Sequence, residues 1–178
     1  QTLPDMSNKG KRVSVSPVSK FKLIVSNLFA SFTSQVIGVM ILFVYTLFIL
    51  NIDYGSNIFL VILLALVGSF AGLSLGIFIS SIIKGNENKK IGIIISITMI
   101  YSFLSGMMGI TMKYVIDKNI PIINKINPVN MITDGLYSLY YYDTLDRYIF
   151  NIISLLIYSS ILIMISCFFL RRNKYDSI

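Results

Sequence analysis

The side chains that carry most enzymatic chemistry are nearly missing from this sequence. It has no histidine and one cysteine, Cys167, so a histidine-based metal cluster or a histidine-activated nucleophile has no residues to form from. One cysteine also rules out an internal disulfide framework and leaves the redox compartment unread. The carboxylates avoid the apolar runs: Asp53 is the single charged residue from 23 to 83, and residues 91–112 and 148–170 carry none. Intramembrane proteolysis therefore lacks its acids. Ion-coupled transport usually shows ionisable groups within the membrane, and here there are none. Sodium sites built from carbonyls and hydroxyls stay open. There is no G-x-x-x-x-G-K-[ST] phosphate loop, so nucleotide is not bound by that route. No cofactor and no enzymatic activity are expected of this chain, whose work is either passive or driven from elsewhere.

The elements that would position the remaining polar groups follow from the charge gaps. About 20 helical residues cross a hydrocarbon layer of roughly 30 Å, and the 55% hydrophobic content with mean hydropathy +0.78 supplies several such runs. The spacing predicts four spans, at about 36–50, 58–83, 91–112 and 149–170. Ahead of them, Ser16 and Pro17 form a helix start. Phe21, Ile24, Val25, Leu28, Phe29 and Phe32 then share one helical face, with Lys20, Lys22, Ser26, Asn27, Ser31 and Thr33 filling most of the other. This reads as an interfacial elbow bending into the first span; the alternative is one tilted helix continuous with that span.

Net charge is +7, but the cations cluster beside the apolar runs rather than on a nucleic-acid-binding surface. No nucleic-acid partner is expected, and membrane lipid is. Eleven cations fall in the N-terminal segment, the 84–90 loop and the C-terminal tail, against four in the remaining loops. Both termini are accordingly predicted cytoplasmic, with 51–57 and 113–148 outside. Within the outer loop, Asn127-Pro128 is a cap-plus-proline helix start and Ile120-Pro121 begins a shorter one. Tyr137, Tyr140, Tyr141, Tyr142 and Tyr148 crowd the approach to the last span, as headgroup-level rings do. Residues 121–142 are read as short helices dipping into or lying on the outer leaflet. Gly68, Gly72, Gly76 and Ser80 form a small-residue ridge on the second span, for packing within the bundle or against a second copy. Ser105, Gly106 and Gly109 give the third span a weaker version, or mark a kink near its outer end.

The whole is an all-α integral membrane protein, one transmembrane domain over 1–178, with 9–35 as a cytoplasmic segment and interfacial helix. Without an initiator methionine and with a polar start at Gln1, it is expected to be a processed product or a piece of a longer protein.

The order of parts resembles the permease subunit of type-2 ABC exporters, in its C-terminal portion, over about residues 9–172. The residues carrying the likeness are Gly10-Lys11-Arg12 with Ser16-Pro17-Val18-Ser19, then Gly76 with Gly85-Asn86-Glu87-Asn88. Phe103-Leu104-Ser105-Gly106, Asn127-Pro128-Val129, Asp134-Gly135-Leu136 and the closing Arg171-Arg172 complete it. The resemblance implies that Gly10, Lys11, Arg12, Ser16, Pro17 and Glu87 dock an ATPase subunit. It also implies that Ser105, Gly106, Asn127, Pro128, Asp134 and Gly135 belong to an outer re-entrant segment. A separate ATPase, a second permease subunit (the same or different), export of an amphipathic or lipid-like cargo and a bacterial plasma membrane follow from the likeness. The alternatives weighed against it are a non-transporting anchor or assembly subunit and a polytopic membrane enzyme.

Overall fold

The computed structural model describes residues 20–55, 57–83 and 85–172. Seven α-helices form the described part: α1 Lys20–Phe48, α2 Ile58–Ile82, α3 Glu87–Leu104, α4 Ile110–Asn119, α5 Pro121–Ile126, α6 Pro128–Tyr141 and α7 Asp146–Arg172. Three of them hold segments long and apolar enough to cross a bilayer: Val25–Phe48, Ile58–Ile82 and Asp146–Phe169. α3 is shorter, 18 residues, and carries Glu87, Lys89 and Lys90 in its first turn.

α2 is the hub, packing on α7 most extensively and also on α6, α1 and α3. Its buried residues Val61, Leu64, Gly68, Ala71, Leu75 and Ile79 recur at steps of three and four, one stripe of a helix. Leu64 and Ala71 pack with Met131 of α6 and Tyr148 and Leu155 of α7 in one core; Leu75 and Ile79 pack with Leu162 in a second. Buried serines line these contacts without leaving a bare hydroxyl. Ser74 donates to the Phe70 carbonyl at 2.8 Å, Ser159 to Leu155 at 2.7 Å and Ser166 to Leu162 at 2.6 Å.

Cross-links fix which ends meet. The Tyr148 hydroxyl donates to the Leu60 carbonyl at 2.8 Å, joining the starts of α7 and α2. At the opposite end Lys90 is 2% exposed and its ammonium donates to the Ser80 carbonyl at 3.2 Å. A cation among the last carbonyls of α2 complements that helix's dipole. Lys90, counted among the cations of the 84–90 loop, is a staple between α3 and α2.

Two expectations need correction, and a third divides into parts. The interfacial lead-in is not a separate elbow: one unbroken α-helix runs from Lys20 to Phe48. No proline interrupts it, and Thr33 and Thr46 bond back to the Phe29 and Leu42 carbonyls at 2.9 and 3.0 Å. The third span does not reach residue 112, because α3 stops at Leu104. Gly106 has φ +85°, and the Gly106 and Met107 amides donate back to the Phe103 and Ser102 carbonyls at 3.2 and 3.1 Å, which closes the helix with a left-handed glycine. α4 then begins inside the stretch read as span. The small-residue ridge divides between its two readings, packing within the bundle and an open face that a second copy could meet. A Cβ on Gly68 would meet Ile132 Cδ1 at 2.8 Å, whereas Gly72 and Gly76 have open space around them. The α2–α7 seam instead uses the Leu64–Ala71–Leu75 stripe, about 100° of helix turn per residue carrying it off the four-residue row.

Gly135 of α6 is the tightest approach in the core, since a Cβ there would meet Leu64 Cδ2 at 2.9 Å. Gly135→Val is expected to destabilise by about 1–3 kcal/mol through overpacking, while Gly72→Ala should stay within about 0.5 kcal/mol. Thermal unfolding of the two variants in the same detergent checks the contrast.

Candidate functional site in the helical crown

The helices α4, α5 and α6 form a crown over the end of the bundle where α3 stops and α7 starts. Both proline starts foreseen in the sequence are present: Pro121 opens α5 and Pro128 opens α6. Asn127 is 1% exposed, and its side-chain oxygen accepts from the Val129 and Asn130 amides at 3.0 and 3.4 Å. Its amide nitrogen donates to the Tyr101 carbonyl at 2.8 Å, in the last turns of α3. One side chain therefore caps α6 and ties it to α3, so the Asn127-Pro128 and Phe103-Leu104-Ser105-Gly106 motifs meet at a single point. Ser105 is buried beside it and donates to the Ser102 carbonyl at 2.9 Å. A Cβ on Gly106 would meet Lys113 Cβ at 2.9 Å, so that position needs glycine for space as well as for φ.

Asp134, on α6, gathers the remaining elements. Arg147 grips it with both arms: Nε to Oδ2 and Nη2 to Oδ1, each at 2.8 Å. Asn151 Nδ2 donates to Oδ2 at 2.9 Å and Lys113 Nζ to Oδ1 at 3.3 Å. The side chain of Asp134 is 14% exposed, that of Lys113 23% and that of Arg147 49%. Arg147 also donates to the Tyr142 hydroxyl at 2.9 Å and lies over its ring, and Lys113 lies over the Tyr137 ring. Residues of α4, α6 and α7 thus converge on one carboxylate. Burial opposes ionisation of Asp134 most strongly, but the hydrogen bonds from Arg147 and Asn151 and the charges of Lys113 and Arg147 outweigh it. Its carboxyl is held below the ordinary value of 3.8. With donors on both oxygens, it acts as an anchor and not as a proton acceptor.

Nearby, Asn124 is 2% exposed; it donates to Asp117 Oδ1 at 2.8 Å, and Asn130 donates to the Asn124 carbonyl at 3.0 Å. These bonds hold α5 against α4 and α6.

The structure brings Ser105, Gly106, Asn127, Pro128, Asp134 and Gly135 into this one layer. Glu87 lies far from it, half-buried in the first turn of α3, and Gly10, Lys11, Arg12, Ser16 and Pro17 lie outside the described residues. Of the packing set, Gly68 alone is closely covered, and Ser80 contributes its carbonyl to Lys90. The sequence did not single out Lys113, Arg147 and Asn151 as partners of Asp134. Asn151 carried a signal: it is the lone amide in the uncharged 148–170 run, one turn after Arg147.

A hub helix and two further long apolar helices under a polar-bonded crown make this an integral membrane protein. Over residues 7–168 the chain matches the family model described as ABC-2 family transporter protein, and it belongs to that family. Comparisons with curated proteins and with solved structures return no match.

Removing one partner of a fully buried ion pair costs roughly 3–5 kcal/mol. Asp134→Asn is expected to cost less, about 1–2 kcal/mol, because half of Arg147 faces solvent. Arg147→Lys should lose part of the same amount, since one ammonium cannot replace the two-armed grip. Because the folded carboxyl is depressed, its contribution is present above the ordinary carboxylate range and lost as pH falls through the folded value. A melting curve against pH should therefore fall below about pH 4 in the parent and fall less in Asp134→Asn.

Proposed function

We propose that this chain is the permease subunit of an ATP-driven exporter in the bacterial plasma membrane, with ATP hydrolysed by a separate ATPase subunit and a second permease subunit completing the path. The observation that carries the proposal is the family match across residues 7–168, in a sequence with no phosphate loop of its own. α3 serves as a fourth span: its 18 residues reach about 27 Å, and the exposed Lys89 of its first turn extends toward the headgroups. The four spans place the lysine-rich 84–90 loop and both termini on the cytoplasmic side, where positive loops are retained, and the crown on the outside. Energy enters through the basic segment containing Gly10, Lys11, Arg12, Ser16 and Pro17, with Glu87 as a further docking residue, and passes to α1. A path free of buried charge suits an amphipathic or lipid-like cargo.

Two measurements test this. In a Cys167→Ser background, a membrane-impermeant maleimide applied to intact cells should label Lys118→Cys and leave Asn88→Cys unlabelled until the cells are opened; equal labelling of both overturns the crossing of α3. Arg12→Ala combined with Pro17→Ala should reduce co-purification of the neighbouring ATPase at least fivefold and remove the permease-dependent part of its ATP hydrolysis. A complex indifferent to those changes overturns the coupling assignment, and an ATPase that never associates supports an anchor or assembly subunit instead.

A further inference from the structure

Below the crown, α3 packs on α2 and α6, and α7 packs on the same two helices. Between the two lies a half-open cavity of about 150 Å³. Leu75 and Phe78 of α2 form its floor, Ile97 and Tyr101 of α3 one wall, and Tyr158 and Leu162 of α7 the other. Tyr101 and Tyr158 bring the two polar side chains of the lining, one on each wall. An apolar cavity of roughly 150 Å³ stays dry and accepts a benzene-sized hydrocarbon, about six carbons. Its depth decides which hydrocarbon is at hand. Tyr158 is twelve residues from the Asp146 end of α7 and fourteen from the Arg172 end, which puts the opening level with the middle of a bilayer.

We infer that this cavity seats the terminal or middle carbons of a bilayer lipid's acyl chain, which enters between α3 and α7 and fills the space that no side chain of the described residues occupies. A headgroup has no place there, because nothing charged lines the walls. A water file finds few partners, since five of the seven lining residues are leucine, isoleucine or phenylalanine. The inference requires only that the bundle spans a membrane; it does not depend on what the protein transports.

The chain contains no tryptophan, so Phe78→Trp installs a single fluorescent reporter in the cavity floor. In vesicles of phosphatidylcholine mixed with its chain-brominated form, the reporter should be quenched more than twofold. Bromines near mid-chain should quench more than bromines near the headgroup, and aqueous acrylamide should have little effect. Adding Ile97→Phe, which fills the cavity from the α3 wall, should at least halve the lipid quenching. The assignment is overturned if Ile97→Phe leaves the quenching unchanged, which marks ordinary lipid at the protein surface. It is equally overturned if the reporter is silent to brominated lipid, which marks a second protein chain in the gap, or if it responds only to an added brominated amphiphile. Should Phe78→Trp fail to fold, Tyr158→Trp reports from the opposite wall with the same expected outcomes.

Discussion

In hydrocarbon there is no water to take up a stray hydrogen-bonding group, so each donor and acceptor has to be satisfied within the chain. That constraint explains where this fold is regular and where it breaks. Along the long helices the hydroxyls turn back on the carbonyl one turn earlier, as Ser74, Ser159 and Ser166 do. A helix ends only where something else takes over its terminal groups. α3 stops at Leu104 because Gly106 folds two amides back onto it and Asn127 donates to the Tyr101 carbonyl. α6 starts where it does because the same Asn127 accepts two of its first amides and Pro128 has none to satisfy.

The Asp134 cluster obeys the same rule with charges. Moving a carboxylate away from water costs several kcal/mol, and its neighbours restore that only with good geometry. Here the carboxylate receives four donors, two of them from one guanidinium in a planar grip. The guanidinium itself stays half in solvent, which keeps its own desolvation small. Placing this cluster in the crown rather than midway along α2 or α7 avoids the much larger cost of charge at full membrane depth. It also lets a single residue of α6 hold α4 and α7 together.

What was legible in the sequence is what local physics determines. The Asn127-Pro128 and Ile120-Pro121 starts were readable because capping needs only neighbours in the chain. The long spans were readable because bilayer thickness imposes their length. The end of α3 was legible only as one of two readings of Ser105, Gly106 and Gly109, a kink or a small-residue face: residues 105–112 are as free of charge as the span before them, and charge does not register that Gly106 adopts φ +85°. The ridge did not say which helix it meets, for a related reason. Gly68, Gly72, Gly76 and Ser80 repeat at four residues, but α2 meets α7 along a stripe through Leu64, Ala71 and Leu75, and only Gly68 is closely covered, by Ile132 of α6. In the site, Asp134 was flagged by its motif, whereas its partners come from helices 13 to 21 residues away in sequence, a separation that single-sequence patterns do not carry.

The distribution of ties has a mechanical consequence. At the crown end α6 is fastened to α2 by the close approaches of Gly135 to Leu64 and Ile132 to Gly68, to α3 by Asn127, and to α7 by Asp134. Tyr148 adds a further tie between α7 and α2. At the other end Lys90 joins α3 to α2 through the Ser80 carbonyl. Packed interfaces shift as units and do not deform smoothly. The crown end therefore moves as one unit, with α2, α3 and α7 each fastened to α6. On the proposed reading, a push delivered from the ATPase reaches a crown that answers as a single body.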